Sequence, residues 1–533
     1  MALTWNYGDL LEAVGDRVPD RVALIHGETQ RTWGEVAERS NRIARALLDT
    51  PGLDPGAHIA FYMTNRVEYL EALTAGFKAR LVHLNINYRY VDDELFEVLD
   101  NADASIVVYE SDFAEHIERL ADRLDKVKLF VEVGDSTPRY PGAVGYESLA
   151  EVGDGSPLGI GRSGDDLFLL FTGGTTGAPK AVMWRQEDRL AVYKQGDKSE
   201  SPDAYLDRIL EQPGERVLPG PPLMHSTGLT VATRAMVGGG SVVTVGGSFD
   251  PRVVWEQIAT HEVRSVSIVG DAFARPLLNV LDADLAERLG SLKMIGSAGV
   301  MWSEEVKRGL LEYLPELTLV DTFGSSEGSG LGRSVTRAGG AARTAAFRIG
   351  DGCKVFTADH DEVEPGSGEQ GMIAKSGPIP IGYYKDPERS AATFPVIGGV
   401  RYSIPGDWCT VEADGSITLL GRGSNCINTG GEKVFPEEVE EALKALEGVN
   451  DALVLGLADP TWGQSVNAVV ESDGLLEEQA IRDALRALLA GYKIPKRVVA
   501  VESMPRGANG KADYTAAREL VVSGSKSVDE GVT

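Results

Sequence analysis

Phe171-Thr172-Gly173-Gly174-Thr175-Thr176-Gly177-Ala178-Pro179-Lys180 is the stretch on which the reading of the chain turns. Just before it, residues 166–171 form a short apolar run that reads as a buried strand, and residues 181–184 read as a second strand after it. The connecting segment is made of glycine, threonine, alanine, proline and one lysine. Glycines at 173, 174 and 177 let backbone N–H groups crowd a ligand, and N–H groups turned inward make a nest for an anion. Threonine hydroxyls add donors and Lys180 adds a full positive charge, which suits a polyphosphate. A Walker A loop is excluded, because Pro179 stands where that motif needs glycine before its lysine. The competing reading is a plain hairpin turn with a solvated lysine. The strand before it, the paired threonines and the Pro-Lys exit favour the anion cradle.

Around this stretch lies a chain of 533 residues, 43% hydrophobic and 25% charged, long enough for more than one domain. Its formal net charge of −28 excludes nucleic acid or an anionic membrane as the main partner, while a few local cations can still hold a nucleotide in a cleft. The first nine residues lack a secretory pattern, and no apolar run reaches the length of a membrane span. Cys353, Cys409 and Cys426 are odd in number and show no zinc-ligand spacing, as expected of free thiols in a reducing cytoplasm. A soluble cytoplasmic protein without integral membrane segment is expected, and a homodimer is compatible with it. Residues 522–533 read as a loose tail.

Taken in order, residues 1–160 alternate helical and strand patterns. Thr32 and Glu35 form a capping-box signature ahead of Val36, Ile43, Ala44 and Leu47 at helical spacing. Strands are expected at 58–62 and 105–109 with a helix at 68–79 between them. The fold class is therefore α/β, with layered subdomains around mostly parallel sheets. Residues 218–228 end a strand and open a helix, with His225 at the junction; 265–273 and 292–300 read as strands running into turns, where ligands of parallel sheets gather. Residues 423–425 (Gly-Ser-Asn) are placed as a hinge, giving a large N-terminal domain at 1–422 and a small mobile α+β domain at 423–533. In the latter, a helix starts at Pro436, strands fall at 451–457, 465–470 and 497–502, and a helix falls near 477–490.

Six segments, in this order, resemble the adenylate-forming superfamily of acyl-CoA synthetases, firefly luciferases and peptide-synthetase adenylation domains. Residues 171–180 resemble its phosphate loop, with Gly173 where serine and Ala181 where glycine is usual. His225 stands where the superfamily puts a histidine or aromatic beside the carboxylate. Ser297-Ala298-Gly299 resembles its adenine-side turn, and Phe323, Gly324, Ser326 and Glu327 match its aromatic-Gly-x-[Thr/Ser]-Glu motif. An aromatic ring stacks on adenine, and a carboxylate suits Mg²⁺. Asp407 and Arg422 match the ribose-holding pair; a carboxylate accepts both hydroxyls of a cis diol. Met504-Pro505-Arg506-Gly507-Ala508-Asn509-Gly510-Lys511 resembles the C-terminal Pro-x(4)-Gly-Lys signature, with Tyr514 where arginine is frequent and Ser424 where the hinge often has Asp or Lys.

The resemblance implies an AMP-forming ligase using ATP, Mg²⁺ and CoA on a small-molecule carboxylic acid. It assigns Lys180, His225, Glu327 and Lys511 to catalysis, with Glu327 on the metal. It assigns nucleotide contact to Thr172, Gly173, Gly174, Thr175, Thr176, Gly177, Lys180, residues 297–299, Phe323, Gly324, Ser326, Asp407 and Arg422, and a second-step role to Gly430 and Gly431. His225, Gly228, Val269, Gly299 and Gly328 line the expected acyl wall, whose small residues leave space for a fatty or steroid side-chain acid; the run 269–276 also resembles synthetases of sterol-degrading bacteria. Three alternatives share the scaffold: a free-standing enzyme loading a carrier protein, a silent adenylate-binding protein, and a luciferase-like oxygenase.

Overall fold

The computed structural model describes residues 3–90, 92–134, 137–174, 177–193, 200–212, 214–300, 302–340, 345–423, 427–429, 432–459, 463–472, 477–486, 488–489, 491–507 and 510–529. Two compact units are separated: Met1–Gly330 with Ser334–Ala342 and Ser376–Ser403, and Leu331–Arg333 with Arg343–Lys375 and Ile404–Thr533.

The first unit carries two largely parallel sheets. In one, the strands run Gly382–Tyr383, Gly177–Arg185, Leu167–Gly174, Val82–Asn85, His58–Tyr62, Ala104–Glu110, Leu129–Val133 and Val144–Gly145. It is antiparallel only where the first three meet. In the other, Thr318–Phe323, Met294–Ala298, Ser265–Ile268, Arg216–Pro219, Ser241–Thr244 and Val22–His26 are parallel, and Thr29–Thr32 closes the edge antiparallel. His58–Tyr62, Val82–Asn85 and Ser265–Ile268 are buried at every residue, as parallel strands covered on both faces must be. Trp33, Trp184, Tyr7 and Phe77 belong to one core, and Trp255 and Trp302 to another.

Local chemistry explains the element starts. Thr32 Oγ1 accepts from the Glu35 N–H at 3.2 Å, and Glu35 Oε2 accepts from the Thr32 N–H at 2.7 Å, completing the box ahead of Trp33–Leu48. A cap of this kind contributes about 1 kcal/mol. The 265–273 run differs from expectation: the strand stops at Ile268 and a helix, Gly270–Asn279, begins, with Gly270 at φ +50° turning the chain.

Helix Val67–Lys78 ends on a lysine that is 0% exposed, its Nζ donating to Asn41 Oδ1 at 2.7 Å and to Ala37 O at 3.1 Å. Burial pushes the Lys78 ammonium down to about 7. Because the unfolded lysine titrates near ~10.4, the unfolded chain gains a proton as pH falls from about 10 to about 7 while the folded chain does not. Stability is thus lost as pH falls through that window, at about 1.4 kcal/mol per pH unit in its middle. Lys78→Met is expected to remove this slope. Denaturant midpoints of both proteins between about pH 7.5 and 9.5 check it.

The second unit opens with antiparallel pairs linking Cys353–Phe356, Gln370–Lys375, Asp407–Val411, Ser416–Arg422 and Ala346–Ile349 in that order. Its later part is α+β: Glu432–Val434, Ile427–Thr429, Gly463–Glu471 and Asp451–Asp459 form a sheet, with Arg497–Val501 parallel to Gly463–Glu471. Val439 and Leu443 of Pro436–Lys444 and Ile481 and Leu485 of Glu478–Arg486 share a core with Val454, Val466 and Val470. The expected loose tail is corrected: a helix, Tyr514–Asp529, continues past residue 522, anchored by Ala517 and Val521 in one cluster with Leu453, Leu455 and Val469. Residues 530–533, the hinge residues Ser424 and Asn425, and Cys426 lie outside the described residues. Among the described residues, no helix is long and apolar enough to cross a membrane.

Candidate active site

The Gly/Thr segment joins two strands longer than the apolar runs that announced them. Leu167–Gly174 and Gly177–Arg185 pair antiparallel with Thr172 opposite Lys180 and Gly174 opposite Gly177. Lys180 is half-buried. Thr175 and Thr176 lie outside the described residues, as do the side chains of Thr172, Gly173, Gly174 and Gly177–Pro179. At the base of the hairpin the Asn85 side chain takes both backbone groups of Phe171, with Oδ1 accepting at 2.8 Å and Nδ2 donating at 3.0 Å.

Parallel pairing carries the neighbouring strand ends to one edge of their sheet. Pro219 pairs with Ser267, Ile268 with Ser297, and Ala298 with Thr322, so His225, Val269 and Gly299 follow the carboxyl ends of adjacent strands and Phe323 is the last residue of the next. In open α/β sheets this edge is where ligands bind. His225 is half-buried and occupies the N-cap of Ser226–Val237; its N–H donates to Pro222 O at 3.0 Å and its C=O accepts from Leu229 at 3.0 Å. Ser297 Oγ accepts from the Gly270 N–H at 2.9 Å, binding the strand Met294–Ala298 to the start of the helix Gly270–Asn279. Gly299, at φ +92°, faces Val269, whose Cγ1 would be 3.9 Å from a Cβ built there. Gly228 sits where the first turn of Ser226–Val237 meets the preceding prolines. A Cβ there would lie 2.5 Å from Pro221 O and 2.7 Å from Pro222 O, so this glycine allows the helix to close on the turn before it.

Glu327 is 8% exposed and held from several sides. The Tyr383 hydroxyl donates to Glu327 Oε1 at 2.9 Å, and Ser403 Oγ donates to Glu327 O at 2.7 Å. Trp184 Nε1 donates to Ser326 O at 2.9 Å. Ser325 and Gly328 exchange backbone bonds at 2.9 and 3.2 Å, and Gly324 permits the tight approach, since a Cβ there would stand 3.2 Å from Gly328 O. Burial, reinforced by the adjoining Glu327 charge, pushes the Tyr383 hydroxyl well above its ordinary value, so it stays a donor. Tyr383 pairs with Val182 on the strand that leaves the Gly/Thr segment. One strand thereby supports both the segment with Lys180 and the loop with Glu327. Tyr383, Trp184, Ser403 and Asn85 had no sequence signal, being single polar or aromatic residues outside any motif.

In the second unit, Asp407 and Arg422 are direct cross-strand partners, and Asp407 is 6% exposed; the Arg422 side chain lies outside the described residues. Lys511 is exposed on a turn in which Gly507 N–H donates to Lys511 O at 2.8 Å and Gly510 N–H to Gly507 O at 2.9 Å. Arg506 anchors that turn, donating to Gly510 O at 3.0 Å and to both oxygens of Asp451 at 2.5 and 2.8 Å. Tyr514 opens the final helix and packs against the Leu453 cluster, an apolar role that accounts for an aromatic there. Gly430 and Gly431 lie outside the described residues.

The profile of the AMP-binding enzyme family matches residues 11–384, and that of the AMP-binding enzyme C-terminal domain matches residues 438–511. The chain belongs to the AMP-binding enzyme family. It is 40% identical to a medium/long-chain-fatty-acid–CoA/3-oxocholest-4-en-26-oate–CoA ligase of Mycobacterium marinum, over 97% of each chain. It is 38% identical to a 3-oxocholest-4-en-26-oate–CoA ligase of Rhodococcus rhodochrous, over 96% of this chain and 95% of the other. In fold it is similar to ATP-bound MatB from Rhodopseudomonas palustris, with a TM-score of 0.81 and 24% identity over 96% of this chain and 98% of that one.

Proposed function

We propose that the protein is an AMP-forming acyl-CoA synthetase acting on medium- or long-chain fatty acids or steroid side-chain acids. In the first step a carboxylate oxygen attacks the α-phosphate of ATP, and pyrophosphate leaves. In the second the CoA thiol attacks the acyl carbon, loses its proton, and AMP leaves. The observation that carries this reading is similarity at 38–40% identity across nearly the whole chain to ligases named for these acids.

Carboxylate and triphosphate repel each other, so the first step needs positive charge placed in advance. In this reading Lys180 and the Gly/Thr backbone take the leaving pyrophosphate, Asp407 and Arg422 hold the ribose, and Phe323 and residues 297–299 flank the adenine. Among the described residues no three His, Cys, Asp or Glu side chains converge on a metal position. Mg²⁺ is commonly held by one or two carboxylates with substrate phosphates, and in this reading Glu327 is that carboxylate. When bound, Mg²⁺ neutralises phosphate charge. Lys511 belongs to the first step and the Gly430-Gly431 segment to the second; a rotation about residues 423–425 would exchange them, making 423–533 a mobile domain.

Purified protein given ATP, Mg²⁺ and CoA is expected to form thioesters from octanoate, palmitate or 3-oxocholest-4-en-26-oate at least about tenfold better in kcat/KM than from acetate. Equal turnover of acetate would defeat the chain-length assignment. Activity only after a carrier protein is added would defeat the assignment of CoA.

A further inference from the structure

Val82–Asn85 runs parallel to Leu167–Gly174, with the backbone register set by His83 and Phe168. At the carboxyl end of this pair a side chain takes over from the backbone. Asn85 Oδ1 accepts from the Phe171 N–H and Asn85 Nδ2 donates to the Phe171 C=O, as a neighbouring strand would. The second proton of Nδ2 goes to Met224 O at 2.5 Å, in the turn just before His225. The partners fix the amide's orientation, because reversing it would set its oxygen against two carbonyls. Asn65, following the adjacent strand, holds the other side of that turn: its Oδ1 accepts from the Leu223 N–H at 2.7 Å.

A polar side chain 2% exposed brings a desolvation cost that an apolar residue of the same size would avoid. What its three bonds supply is position. They tie the residue that enters the Gly/Thr segment to the residue that precedes His225, two segments met by Asn85 across 86 and 139 positions of sequence. We propose that Asn85 is a positioning residue that sets the separation between the phosphate-holding arm and the carboxylate-facing His225 arm, and so aligns the two substrates for acyl-adenylate formation. This rests on the acyl-CoA synthetase reading above. Each arm keeps its own structure without the bridge, so substrate affinities survive while the alignment is lost; displacement by about 1 Å costs on the order of 100-fold in rate. Acyl transfer to CoA comes after pyrophosphate has left and does not use that alignment.

Asn85→Asp keeps the shape but turns an anionic oxygen toward both carbonyls, and Asn85→Ser is too short to reach both arms. In each, acid-dependent pyrophosphate–ATP exchange with octanoate is expected to fall about 100-fold in kcat, with KM for ATP and octanoate within about threefold. Acyl transfer from synthetic octanoyl-adenylate to CoA should stay within about threefold of wild type. Folded variants with unchanged exchange, or with both half-reactions lowered in parallel, would overturn the proposal. So would loss of a cooperative melt in both variants, which would make Asn85 a plain core residue. Wild-type protein without exchange would sink the synthetase reading itself, whereas exchange in wild type and unchanged exchange in the variants sinks only the positioning role.

Discussion

Replacing Lys511 with alanine is expected to slow acyl-adenylate formation by about 10²–10³-fold, the usual loss when one placed donor to a developing charge is deleted. Acyl transfer from a supplied acyl-adenylate to CoA should change by less than about threefold, because that step has no triphosphate to neutralise. The Gly507 N–H bond to the Lys511 backbone oxygen is one that alanine keeps, and the side chain is exposed, so the variant should melt like wild type. Arg506 and Asp451 hold the turn's base through bonds that do not involve the Lys511 side chain. Measuring the two half-reactions separately is therefore decisive. Pyrophosphate exchange at wild-type rate in Lys511→Ala would remove this residue from the chemistry.

The second large effect is expected from Glu327→Gln. The amide oxygen of glutamine can still accept from the Tyr383 hydroxyl, and the Ser403 bond goes to the backbone, so the loop should keep its shape. What disappears is one negative charge. If that charge holds Mg²⁺ against the phosphates, exchange should fall by about 10²–10³-fold at low Mg²⁺ and recover partly as Mg²⁺ is raised. Exchange assayed across a Mg²⁺ titration checks both parts. A uniform, Mg²⁺-independent decrease would instead give Glu327 a purely geometric role.

The parts legible in sequence are those whose cause is local. Alternating strand and helix periods announced the parallel sheets, Thr32 and Glu35 announced a helix start, and the apolar runs on either side of the Gly/Thr segment announced its two strands. The acid-rich start at Pro436 likewise marked a helix that is present. Misreadings came where composition and tertiary contact disagree. Gly524, Ser525 and Ser527 read as tail, yet Ala517 and Val521 bind the preceding turns to the Leu453 cluster and the helix continues. At 269–273 an apolar run with a glycine looked like strand and turn, but Phe273 and Ala274 are buried in a helix instead. The supports of the site were invisible for another reason. Asn85 and Tyr383 meet partners 86, 139 and 56 positions away, and no pattern of neighbours marks a residue whose meaning is a distant backbone oxygen or carboxylate.

Asp407 and Arg422 face each other as one rung of a two-strand ladder. Both residues come before position 423, on a ladder that continues through Cys409 and Leu419 to Val411 and Ile417. If those two residues grip the sugar and residues 423–533 are the part that rotates, the grip lies before the point of rotation. The mixed anhydride would then stay seated by its nucleoside while the machinery at its acyl end is swapped, and a reactive intermediate would never have to be let go and caught again between the two halves of the reaction.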